Sequence, residues 1–68
     1  MKVTADTITD EQIRELFEAT ESMDVRYECK IALGSYRNAG HAAGSESEIR
    51  QARARCAEIW NARHGGES

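Results

Sequence analysis

Two helix-start signatures constrain this chain more than any other feature: Thr9-Asp10-Glu11-Gln12 and Ser45-Glu46-Ser47-Glu48, each opening an apolar run with helical spacing. In each, the hydroxyl oxygen can accept from the backbone N–H three residues on, while Gln12 or Glu48 reaches back to the cap N–H. Two of the donors that a helix start leaves unpaired are thereby satisfied. Ile8 and Ile13 flank the first cap as a hydrophobic staple. The chain has 68 residues and no proline. Below about 70–80 residues a single core rarely supplies more than roughly 3–5 kcal/mol. The expected fold is therefore all-α, a small three-helix bundle, with a polar N-terminal lead over residues 1–7, the bundle over residues 8–64 and a flexible tail over residues 65–68.

The first helix is expected over residues 10–22, where Ile13, Leu16, Phe17, Thr20 and Met23 follow the spacing of a core stripe and Glu11, Glu15 and Glu18 fall opposite. The second is expected to start at Asp24 as cap, with Val25, Cys29, Ala32 and Tyr36 on one face and a second stripe, Tyr27 and Ile31, pointing nearly the other way. Gly34 either sits inside this helix or ends it as a C-terminal cap, and the spacing alone does not choose. Residues 38–44 form a small-residue connector without an apolar anchor, expected to be mobile. The third helix is expected over residues 46–63, with Ile49, Ala52, Cys56, Ile59 and Trp60 buried, Trp60 as the largest core side chain, and Arg50, Arg53, Ala57 and Asn61 along one flank. The expected core is Ile13, Leu16, Phe17, Val25, Cys29, Ala32, Ile49, Cys56, Ile59 and Trp60.

Charge is distributed unevenly. Residues 1–30 hold eight acidic side chains against four basic ones, and the remainder four against five. No apolar stretch approaches the ~20 residues of a membrane span, and residues 1–6 lack the apolar run of a secretory leader, so a cytoplasmic location is expected. Cys29 and Cys56 then read as reduced thiols in a core.

Catalytic and metal chemistry find little support. Cys29, His41, Cys56 and His64 are of suitable type for a metal, but their spacing matches no compact zinc pattern. The cysteines fall on core stripes, away from the electropositive settings that activate a thiol. Glu11, Glu15 and Glu18 lie on a solvated face, which does not raise a carboxyl pKa as acid–base work requires. The glycines lack the Lys-Ser or Lys-Thr pair of a phosphate loop. No cofactor and no enzymatic activity are expected. DNA binding through the third helix is the alternative, with Arg50, Arg53 and Asn61 reaching phosphates or base edges as in a small transcriptional regulator. The acidic total and a sequence pI near 5.3 disfavour it.

The run Ile8-Thr9-Asp10-Glu11-Gln12-Ile13-Arg14-Glu15-Leu16, the segment Cys29-x-x-Ala32-Leu33-Gly34 and the run Ala54-Arg55-Cys56-Ala57-Glu58-Ile59 resemble small helical proteins encoded by proteobacterial phages and mobile elements. That resemblance implies a phage-like gene product acting on a host protein or nucleoprotein complex, as anti-CRISPR inhibitors do. CRISPR effectors hold nucleic acid in lysine- and arginine-rich channels, which a compact acidic helix can occupy in place of phosphate. Glu11, Glu15, Glu18 and Glu21 are expected to supply that charge, and Tyr27 and Ile31 the anchors. So small a core also favours a homodimer hiding Tyr27 and Ile31.

Overall fold

A computed structural model describes residues 2–40 and 42–64. Three helices pack around one core: α1 (Asp10–Ala19), α2 (Met23–Ala32) and α3 (Glu46–His64), with a 3-10 turn at Ala42–Gly44 before α3. Among the described residues there is no strand. The expected tail over residues 65–68 and His41 lie outside the described residues.

The capping box of α1 is complete. Gln12 N–H donates to Thr9 Oγ1 at 3.1 Å, and Thr9 N–H donates to Gln12 Oε1 at 2.9 Å. The staple residues Ile8 and Ile13 are both buried. The helix stops three residues earlier than its periodicity predicts. Thr20 is extended, Ser22 N–H donates to Thr20 Oγ1, and Ser22 Oγ accepts from Val25 N–H. These hydroxyls offer the backbone local partners that compete with helix continuation. Ser22, not Asp24, is therefore the cap of α2, and Met23 opens α2 rather than ending the core stripe of α1.

Gly34 ends α2. Its φ is +82°, its N–H donates to Ile31 O at 2.9 Å, and Ser35 N–H donates to Lys30 O at 3.0 Å. This is the Schellman arrangement, in which a left-handed residue turns the chain back onto the last carbonyls of the helix. Residues 34–40 continue as turns. The connector that follows is anchored after all, because Ala43 is buried and a Cβ on Gly44 would overlap the Tyr36 carbonyl oxygen. Only glycine permits that backbone crossing. At α3, Ser45 Oγ accepts from Glu48 N–H, while the Ser45 N–H donates to Ala42 O, closing the 3-10 turn.

The fully buried side chains are Ile13, Leu16, Cys29 and Cys56, joined in the core by Ile8, Ile31, Ala32, Ala43, Ile49, Ala52 and Ala57. Phe17, Val25, Ile59 and Trp60, expected inside, are half-buried against this cluster. Trp60 stacks on His64 with ring centroids 4.1 Å apart and contributes at the bundle's edge instead of its centre. Ala32 and Ala52 are buried as expected, and Ala43 and Ala57 join them in the core. α2 packs mainly against α3, and α1 touches α3 least.

Candidate interaction surface

The N-terminal lead engages the flank of α3 that would face nucleic acid, leaving Arg50 exposed and Arg53 and Asn61 half-buried. Thr4 and Thr7 close a turn in which Ile8 N–H donates to Thr4 O and Thr4 N–H donates to Thr7 Oγ1. This turn lies across Arg50, Arg53 and Asn61. Asn61 Oδ1 accepts from Val3 N–H and Asn61 Nδ2 donates to Val3 O, both at 2.9 Å, so one side chain pairs with both backbone groups of a residue 58 positions away. Arg53 donates to Ile8 O, to Asp10 Oδ1 at 3.0 Å, to Ala32 O at 3.3 Å and to Ala5 O at 3.4 Å. It ties the lead, the start of α1 and the end of α2 to α3. Arg50 pairs with Asp6 at 2.7 and 3.3 Å. The hydrogen bonds and charge of Arg50 hold the Asp6 carboxyl below its ordinary value, and Asp6 raises Arg50 in return. Ala57, expected on this flank, is buried beneath it. No local sequence signal announces such a lid, because backbone groups accept any polar side chain regardless of residue type.

The cysteines of α2 and α3 meet in the core. Cys56 Sγ donates to Cys29 Sγ at 3.9 Å, and both are free thiols. Burial pushes the Cys56 thiol up to about 12, with Cys29 and Glu28 adding to the rise and Arg53 opposing it. Burial also raises Cys29, partly offset by the hydrogen bond from Cys56. Thiols so raised are almost wholly protonated near neutrality and poorly nucleophilic. His64 is at the last turn of α3 against Trp60, far in role from any thiol. Among the described residues no three His, Cys, Asp or Glu side chains are grouped to hold a metal ion.

Two outward faces remain. On α1, Glu11, Glu15 and Glu18 are exposed, as is Glu21 just beyond it, and none makes an ion pair among the described residues. Arg14, within helical reach of Glu11 and Glu18, makes none either. On α2 the two-sided pattern resolves differently from expectation. Ile31 is buried, packed with the core beside the 3-10 turn, and is not a surface anchor. The outward stripe is Met23, Arg26, Tyr27 and Lys30, at positions i, i+3, i+4 and i+7. Met23 is 74% and Tyr27 44% exposed, the two large apolar side chains most open to water among the described residues. With Phe17 and Tyr36 this stripe lines a shallow groove of about 320 Å³. Tyr27 meets Tyr36 edge-on at 5.7 Å. Arg26 lies 5.3 Å over the Phe17 ring and donates from Nε to Thr20 O. The i, i+3, i+4, i+7 spacing of these four residues was visible in the sequence, hidden by assigning Met23 to the first helix.

No helix among the described residues is long and apolar enough to cross a membrane. Set against protein-family models, curated proteins and solved structures, the chain matches none of them.

Proposed function

We propose that this protein is a non-enzymatic interaction module that binds another protein through the outer faces of α1 and α2, and that its target is a nucleic-acid-handling defence complex of a bacterial host, which it inhibits in the anti-CRISPR manner. The observation that carries the reading is the exposure of Met23 and Tyr27 beside a row of carboxylates that have no ion-pair partner among the described residues. Large apolar side chains set in a groove are the usual anchors of protein interfaces. Unpaired carboxylates on a rigid helix present negative potential to a cationic channel and accelerate encounter. Glu11, Glu15, Glu18 and Glu21 take the steering role, and Tyr27 with Met23 the anchoring role first expected of Tyr27 and Ile31. Weighing against the nucleic-acid alternative, Arg53 and Asn61 are engaged by the N-terminal lead and Arg50 is paired with Asp6.

The test uses purified RNA-guided effector complexes and their target DNA, with binding followed by surface plasmon resonance. The native protein is expected to bind the effector and block DNA loading. The triple variant Glu11→Lys, Glu15→Lys, Glu18→Lys is expected to associate at least tenfold more slowly with a flatter salt dependence, because opposite charge acts mainly on encounter. Tyr27→Ala is expected to speed dissociation. Native association rates in the correctly folded triple variant would overturn the steering role of α1.

A further inference from the structure

We infer that the outer face of α2 is a docking groove for an acidic protein segment that carries one large apolar side chain; this rests on the reading of α2 as an interaction surface and specifies what that surface selects. The charge of the groove is the first argument. Residues 1–30 hold eight acidic and four basic side chains, yet two of those four, Arg26 and Lys30, line this groove and no carboxylate does. They stand one helical turn apart, which matches carboxylates one turn apart on an incoming helix. Arg26 is held in place by Phe17 and by Thr20 O through Nε, and its terminal N–H groups make no hydrogen bond among the described residues. A guanidinium fixed on an aromatic face, with its fork open, is suited to a carboxylate.

The apolar lining supplies the second argument. Phe17, Met23, Tyr27 and Tyr36 surround the cations, so a segment that brought charge alone would leave this lining wet. One leucine- or phenylalanine-sized side chain between the two carboxylates covers it. The outer face of α1 on a second copy does not meet the requirement, because it has carboxylates at 11, 15 and 18 but only Arg14 among them and no large apolar side chain. Docking of the α2 face of a second copy, with Asp24 and Glu28 beside Tyr27, is an outcome that the test below detects. A single-stranded nucleic acid could stack on the tyrosines, but a phosphate chain needs a continued cationic track. Here the sequence neighbours Glu21, Asp24 and Glu28 interrupt any such track.

The experiment is a titration of isotope-labelled protein, at millimolar peptide, with three capped alanine-rich helical peptides followed by amide chemical shifts. One carries two glutamates four residues apart flanking a phenylalanine; the second has lysines for the glutamates; the third has alanine for the phenylalanine. The first is expected to move the amides of residues 23–30 and Phe17, with at least fivefold tighter binding than either of the others. Lys30→Glu, which removes a side chain that has no ion pair among the described residues, is expected to lower the preference for the glutamate peptide, and Arg26→Glu with Lys30→Glu to reverse it. Equal binding of all three peptides, shifts centred elsewhere, tighter binding of an oligothymidylate, or concentration-dependent shifts of residues 23–30 without peptide would each overturn the inference. If the glutamate peptide fails while charge reversal on α1 still slows effector binding, the groove assignment falls and the interaction module stands. If the peptide binds and the reversal has no effect, the steering role falls and the groove stands.

Discussion

Arg53 on α3 and Lys30 on α2 are both long cations on the surface of a helix, and they stand in opposite situations. Arg53 is only 23% exposed in its side chain and donates to three backbone carbonyls and a carboxylate from three other segments. Lys30 touches an exposed groove and has no ion pair among the described residues. Arg53 is thus part of a joint between segments, whereas Lys30 stands on a surface that also carries the exposed apolar side chains Met23 and Tyr27. A cation signals binding only when the fold has left it something to bind, and that is decided by which segment covers it.

The contrast breaks if substitutions on the two flanks have similar consequences. Arg53→Ala should have the largest effect on stability, a loss of about 2–3 kcal/mol, because it removes a hydrogen-bonded charge and leaves partly buried carbonyls without a donor. Urea unfolding followed by tryptophan fluorescence measures it, and Arg53→Lys should recover only part, since an ammonium cannot reproduce the guanidinium fork. A loss below about 0.5 kcal/mol would make the flank an ordinary surface. Asn61→Ala should come next, at about 1–2 kcal/mol for two hydrogen bonds to one backbone residue. Its signature is local: hydrogen exchange at Val3 should speed up more than at the centre of α2.

Tyr27→Ser should cost less than about 1 kcal/mol, the worth of its edge contact with Tyr36, while weakening partner binding. A larger stability loss would mean that Tyr27 belongs to the core. Arg50→Ala should change stability least, because its pair with Asp6 is open to solvent and screened by salt. Its effect is one of pH. Asp6 titrates below its ordinary value in the folded protein, so the pair stabilises above the unfolded carboxyl value, near 3.9, and that contribution disappears as pH falls through the folded value. The difference in urea midpoint between native protein and Arg50→Ala should therefore shrink between pH 5 and pH 2, and grow at low salt.

How much of this was legible varies with the kind of contact. Thr9 with Gln12, Ile8 with Ile13, and Ser45 before α3 are local patterns, and the helix starts they predict are in place. Ile13, Leu16, Cys29, Ile49 and Cys56 follow from helical period and are buried. The corner at residues 20–22 was misjudged because Thr20 fits the apolar period while its hydroxyl favours a turn. Ile31 was read as outward because its spacing shows a second apolar face, and nothing nearby reveals that Ala43 will return to cover it. The joint between Asn61 and Val3 had no sequence signal at all: it is made to main-chain groups that every residue but proline carries. The acidic face of α1 was visible from spacing; the cationic groove of α2 emerged once Met23 was placed at the head of the stripe.

The clasp between the two ends of the bundle also sets an order of assembly. Helices α1 and α2 are joined by a short corner at residues 20–22 and can find each other through contacts close in sequence, whereas residues 3–8 dock on positions 50–61, which are synthesised well after them. Contacts this distant in sequence form slowly relative to local ones. On a translating ribosome the lead emerges before α3 and must wait, undocked, until almost the whole of that helix has followed. The lead is then fastened after the helices it joins, and a nascent chain stalled within α3 would leave the arginine flank without the clasp that engages it in the finished protein.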